Sequence, residues 1–168
     1  MIPLTIMILS FFLDGILTNF LPYLVNDLSY FTPMLTLVSI ILIYPFYKKD
    51  ERKYFITVFI LGLLYDLFYT NLLFFNAVLF TLIALINKRI QKRISFNAMN
   101  LLGETILIII SYELLTGILL FTYNIVPVTI YKIFYKIIHS ILLNILYVEG
   151  IYGIIKIIPK KYKQISIN

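Results

Sequence analysis

Long apolar runs separated by short polar breaks dominate the chain. A helix that crosses the hydrocarbon core of a bilayer needs about 17–25 mostly apolar residues. The pattern predicts six such helices, near residues 2–21, 29–47, 54–69, 72–87, 98–121 and 137–158. Turn-forming residues or clusters of charge separate these runs, as helix ends require. The predicted fold class is therefore all-α, a polytopic transmembrane helical bundle of about six spans in a single membrane domain over residues 1–168.

Three local details refine this prediction. The spans over residues 54–69 and 72–87 are the shortest, so one short hairpin or a re-entrant pair is the alternative there. Pro33 suits the first turn of the second helix. Residues 128–136 carry two lysines among apolar and aromatic side chains, a composition that indicates a separate amphipathic segment at the membrane surface.

The composition excludes an ordinary soluble domain. Hydrophobic residues make up 61% of the chain and charged residues 13%, against about 45–50% and about 25% in soluble proteins. Cysteine is absent, which excludes disulfides and thiolate metal sites. The apolar N-terminal run has no basic segment before it and no small-residue cleavage site, so we interpret it as a retained span.

The basic residues predict the orientation in the membrane. Twelve of the fourteen Lys and Arg residues lie after the second and fourth predicted spans or in the last turn and tail of the sixth, and only Lys132 and Lys136 fall on the other side. Loops rich in basic residues favour the cytoplasmic side of a membrane. Both termini are therefore predicted to be cytoplasmic, and nucleic acid is not needed to explain the basic clusters.

Five acidic residues fall inside predicted spans: Asp14, Asp66, Glu104, Glu113 and Glu149. A charge at the centre of a bilayer costs at least about 2.5–3.5 kcal/mol, so such groups normally face protein or a cavity. Polar contacts between helices are the favoured interpretation, and a solute or ion site is the alternative. Asp14 and Asp66 could also reach water at the interface, because both lie towards helix ends. No two acids are placed together by their spacing, which disfavours a catalytic carboxylate pair.

No enzymatic or metal-binding motif is present, so we predict a protein without catalytic activity, cofactor or metal. His139 is the only histidine, and one histidine without cysteine cannot form a local metal site. A hydrogen bond between helices is its expected role.

Glycine is scarce, and its positions next to acids are informative. Gly62 lies one helical turn before Asp66, which would allow close approach of another helix beside a polar contact. Gly150 and Gly153 follow Glu149 in a similar way. A packing notch is the expected role for each of these glycines.

The segment Gly62-Leu63-Leu64-Tyr65-Asp66 resembles the Gly-Leu-x-x-Asp motif of the MreD family of rod shape-determining membrane proteins. Asp14 on the first helix, Phe31-Thr32-Pro33 before the second, and His139-Ser140 with Asn144 on the last also resemble that family. A departure follows the motif, where family members often have glycine and this chain has residues 71–76, Asn-Leu-Leu-Phe-Phe-Asn.

The resemblance implies a non-catalytic component of the machinery that elongates the lateral cell wall. Such a protein would bind a single-pass MreC partner and act alongside MreB filaments and peptidoglycan synthases. The family is also similar in fold to the substrate-binding subunits of energy-coupling-factor vitamin transporters, which makes a small-solute carrier the alternative. Those subunits carry Ala-x-x-x-Ala on their first helix, whereas the only alanines here are Ala77, Ala84 and Ala98. The residues expected to serve packing or partner binding are Gly62, Asp66, Asp14, Glu113, His139, Asn144 and Glu149.

Overall fold

A computed structural model describes residues 2–24, 32–70, 72–122 and 130–157, and these residues form six α-helices and no strand. The helices are α1 (Ile2–Leu24), α2 (Leu35–Tyr47), α3 (Glu51–Tyr69), α4 (Phe75–Gln91), α5 (Ala98–Thr122) and α6 (Ile130–Ile157). The predicted all-α class is confirmed, and each helix overlaps one of the six predicted runs.

Helix α2 lies at the centre of the bundle. Every residue from Leu35 to Pro45 is buried, and the helix packs against all five others. A helix that is apolar on every face is stable only when it is enclosed, which explains this position. Its 13 residues extend about 20 Å, and its first residue, Leu35, is buried, so its N-terminus lies inside the bundle.

Three helices are long and apolar enough to cross a membrane. The segments concerned are Ile2–Phe20 of α1, Ala98–Thr122 of α5 and Ile133–Ile157 of α6. All three helices carry large apolar side chains on their outer faces, for example Phe12, Ile118 and Leu142. A bilayer would remove these side chains from water.

Several predicted helix ends are wrong. Helix α2 begins at Leu35, so Pro33 precedes the helix and does not occupy its first turn. Helix α4 begins at Phe75 and continues to Gln91. Helix α6 begins at Ile130, so residues 130–136 are its first turns and not a separate segment. The predicted breaks after the first, third and fifth spans fall largely on residues 25–31, 71 and 123–129, which lie outside the described residues, as do the basic residues after residue 157.

The loops that follow α2 and α4 lie together at one end of the bundle. Glu51 accepts from the ammonium groups of Lys88 and Lys92, at 2.6 and 2.7 Å. These two contacts lower the pKa of the Glu51 carboxyl, and the contact with Lys88 has the larger effect. Asp50 caps α3 by accepting from the backbone N–H of Lys53 at 3.1 Å. The contacts bring two of the basic clusters to the same end, as the charge pattern predicted.

Candidate functional site

The buried N-terminus of α2 is capped by a carboxylate from another helix. The residue before α2, Met34, makes no side-chain cap. Instead Asp14 of α1 accepts from the backbone N–H of Leu35 through Oδ1 and from that of Thr36 through Oδ2, each at 3.0 Å. The first N–H groups of a helix have no partner within it, and their partial positive charge favours an anion. Asp14 therefore stabilises the start of α2 and ties it to α1.

An amide of α6 completes this cap. The backbone N–H of Met34 donates to Oδ1 of Asn144 at 2.9 Å. The Nδ2 group of Asn144 donates to the backbone oxygens of Thr32 and Ser140, at 3.1 and 2.6 Å. Three consecutive N–H groups at the start of α2 are thus satisfied by side chains of α1 and α6.

Helix α4 begins in the same way. Oδ1 of Asp66, on α3, accepts from the backbone N–H of Asn76 at 3.0 Å and from its side-chain amide at 2.8 Å. Oδ2 accepts from the backbone N–H of Ala77 at 3.2 Å. The residue before α4, Phe74, makes no side-chain cap and has φ 66°, in the left-handed region that a bulky residue rarely adopts. The hairpins α1–α2 and α3–α4 therefore share one device, a carboxylate on the first helix that caps the second.

Gly62 permits the close approach of α3 and α4 beside this cap. A Cβ atom at Gly62 would lie 2.5 Å from Cα of Ala77 and 2.7 Å from the backbone oxygen of Asn76. Real Cβ atoms do not come this close to backbone, so any larger residue would move α4 away from Asp66. The predicted notch beside an acid is present, and it serves packing between α3 and α4.

A further contact links this cap to α5. The hydroxyl of Tyr112 donates to Oδ1 of Asn76 at 2.8 Å. The side-chain amide of Asn76 thus donates to Asp66 through its nitrogen and accepts from Tyr112 through its oxygen. Helices α3, α4 and α5 meet at this point.

A second polar cluster compensates for a proline inside α2. Pro45 has no N–H, so the carbonyl of Ile41 loses its normal partner within the helix. Nε2 of Gln91, on α4, donates to that carbonyl at 2.9 Å and to Oε2 of Glu104 at 3.1 Å. Gln91 and Glu104 are both buried.

The carbonyl of Ile40 receives two further donors. The hydroxyl of Tyr54 and Nδ2 of Asn87 each donate to it at 3.2 Å. Asn87 also donates to the Tyr54 hydroxyl at 2.9 Å. Polar side chains of α3, α4 and α5 thus surround the last turns of α2.

The buried acids mostly hold helices together. Asp14 and Asp66 are 2% and 1% exposed, so the alternative in which they reach interfacial water is wrong. Glu104 contacts Gln91 near the end of α2 that carries Pro45. Glu113 makes no contact with this polar cluster and has no hydrogen bond among the described residues. The two acids of α5 are therefore apart, as their spacing predicted.

His139 bonds within its own helix. Its Nδ1 lies 2.7 Å from the backbone oxygen of Tyr135, and the two rings lie 4.0 Å apart between centroids. A contact from His139 to another helix stays a prediction. In the described part of the chain, no group of three or more His, Cys, Asp or Glu side chains is placed to hold a metal ion.

The expected notches on α6 are not filled by the bundle. A Cβ atom at Gly150 or at Gly153 would meet no atom within 4 Å among the described residues. No described helix of this chain occupies a notch at these glycines, so the packing notch expected there stays a prediction. Glu149 has one buried carboxylate oxygen, Oε1, without a hydrogen bond in the described structure.

Sequence reasoning found the capping acids and missed the groups around them. Asn76, Tyr112, Asn87 and Gln91 were not identified, although each makes a contact between helices. One usable signal was the lack of Ser, Thr, Asp or Asn directly before α2 and α4, because a buried helix start without a local cap needs a distant one. The other was Pro45, which requires a donor from elsewhere.

Comparison with known proteins identifies a family for this chain. The chain matches the model of the MreD family, described as rod shape-determining protein MreD, over residues 2–158. No curated protein and no solved structure matches the chain.

Proposed function

The chain belongs to the MreD family of rod shape-determining proteins, and from this premise we propose that it is a non-catalytic membrane component of lateral cell-wall elongation. The observation that carries the proposal is the family match over residues 2–158. The protein is an integral membrane protein, as its three long apolar helices and its family indicate. We further propose that all six helices form one domain in the bacterial inner membrane.

A structural role agrees with how the intramembrane acids are used. Asp14 and Asp66 each accept from two consecutive backbone N–H groups. A carboxylate held in this way acts as a helix cap, which is a structural role. The vitamin-carrier alternative has no supporting observation and is not proposed.

The proposed partner is a single-pass membrane protein of the MreC type, through which the chain would act with MreB and peptidoglycan synthases. Helices in lipid gain little from hydrophobic burial, so their association depends on close packing and hydrogen bonds. The outer faces of α1, α5 and α6 offer apolar side chains, and a single transmembrane helix of the partner could pack against such a face.

Co-purification in mild detergent tests this partner. The tagged chain should retain an MreC-type protein, and it should lose that protein when the partner's transmembrane helix is replaced by an unrelated apolar helix. Recovery of the chain without the partner, or with a transporter ATPase instead, would contradict the proposal.

The proposed orientation places both termini in the cytoplasm. The loops after α2 and α4, which are joined by Glu51, Lys88 and Lys92, would face the cytoplasm because of their basic charge. A reporter fused after Lys92 or at the C-terminus should show a cytoplasmic location. A reporter inserted at Asn124 should show an external location. An external C-terminus would show an odd number of spans.

A further inference from the structure

A cavity of about 190 Å³ opens at the end of the bundle opposite the basic loops. Its lining combines polar residues of α1, α5 and α6 with aromatic residues of α3, α4 and α5. It also borders the segment 32–34 that leads into α2. The capping contacts described above do not fill this space.

Two polar side chains of α5, Glu113 and Thr116, line the cavity. Glu113 is 5% exposed, and it makes no hydrogen bond or ion pair of 4 Å or less within the described structure. The hydroxyl oxygen of Thr116 is buried and also lacks a hydrogen bond there. Burial of a carboxylate without a hydrogen bond is unfavourable, so a donor from a bound molecule would stabilise it.

A group of opposite charge lies in the same lining. Lys136 of α6 is exposed and borders the cavity together with Glu113. The described structure shows no ion pair within 4 Å between the two. The cavity therefore presents a buried negative group and an accessible positive group to one ligand.

The wall beside Glu113 is aromatic. The rings of Tyr65 and Phe80 lie 5.4 Å apart between centroids, and those of Phe80 and Tyr112 lie 6.1 Å apart. Aromatic faces attract cations, and an ammonium group between such faces and a carboxylate is a favourable arrangement. This part of the cavity thus suits a positively charged group.

We propose that the cavity binds a small zwitterion, with a primary ammonium group against Glu113 and the aromatic wall and an anionic group against Lys136. The phosphoethanolamine head group of a membrane lipid has this chemistry, and so has free phosphoethanolamine. A cavity needs only about 10–15 Å³ of such volume to hold one water molecule, so about 190 Å³ leaves room for such a group.

Binding to the purified, delipidated full chain tests the proposal by calorimetry. The probes are dihexanoyl phosphatidylethanolamine, free phosphoethanolamine and dihexanoyl phosphatidylglycerol, which has the phosphate but no ammonium group. We expect saturable binding of at least one ethanolamine probe. The affinity for the glycerol lipid should be at least about tenfold lower. Preference for the lipid over free phosphoethanolamine identifies a head-group site, and equal affinity identifies a site for a free zwitterion.

Variants make the assignment specific. Glu113→Gln and Lys136→Gln should each weaken binding about tenfold, whereas Glu149→Gln, which changes an acid outside the cavity, should not. Lys136 is exposed, so its variant should fold even if the Glu113 variant does not. Absence of binding by both ethanolamine probes, equal binding of the glycerol lipid, or unchanged affinity of the Lys136 variant would overturn the proposal.

Discussion

Asp66→Ala should lower the free energy of unfolding by about 2–4 kcal/mol, because it leaves two backbone N–H groups at the start of α4 without an acceptor. Those groups belong to Asn76 and Ala77, and the side-chain amide of Asn76 loses the same partner. Unfolding of the purified protein in detergent measures the global effect. Hydrogen exchange of residues 72–80 measures the local one, and exchange there should become faster.

The matched control is Asp50→Ala. Asp50 is also an acid at a helix start, but it caps its own helix at the exposed end of the bundle. Its replacement should cause a smaller loss of stability and leave exchange over residues 72–80 unchanged. Equal stability of the Asp66 variant and the unchanged protein would show that the cap between helices is not important.

Gly62→Ala should destabilise the protein by about 1–3 kcal/mol, the usual cost of overpacking a rigid site. The added methyl group would lie 2.5 Å from Cα of Ala77 and 2.8 Å from its backbone nitrogen. Since these are backbone atoms, relief requires α4 to move away from α3, which also lengthens the contacts of Asp66. Unfolding in detergent and the abundance of the protein in membranes measure the effect.

Gly103→Ala is the control for this substitution. Gly103 lies inside α5, and a Cβ atom there would meet nothing within 4 Å among the described residues. Alanine is the better helix former by about 0.5–1 kcal/mol, so this variant should be as stable as the unchanged protein or more so. Gly15 is a poorer control, because a side chain there would overlap the Tyr69 hydroxyl. A Gly62 variant as stable as the Gly103 variant would contradict the described packing.

The sequence predicted the helices well and their starts poorly. Length and apolar composition identify a helix from local information alone, which is why all six runs were found. The starts of α2 and α4 depend on Asp14, Asn144 and Asp66, which come from other helices. Local turn chemistry contains no information about those partners, so Pro33 was placed inside a helix that begins two residues later.

The candidate site was predicted in the same partial way. An acid in an apolar helix normally faces protein or a cavity, and this rule selected five acids, of which Asp14, Asp66 and Glu104 contact another helix. It could not show that the partners of Asp14 and Asp66 were backbone N–H groups, because almost every residue carries such a group and the sequence does not mark the ones that need an acceptor. Gly153 has the same four-residue spacing to an acid as Gly62, and Gly150 directly follows that acid, but no helix of this chain lies against either glycine in the described structure.

The central claim is that this MreD-family chain maintains rod shape through a bundle whose buried helix starts are held by Asp14 and Asp66. It is tested most directly by the ratio of cell length to width when the chromosomal copy is depleted and a plasmid supplies the protein. The account predicts that depleted cells become round, that the unchanged chain and Asp50→Ala restore rods, and that Asp66→Ala does not. Cells that stay rod-shaped after depletion, with the protein absent from their membranes, would contradict it.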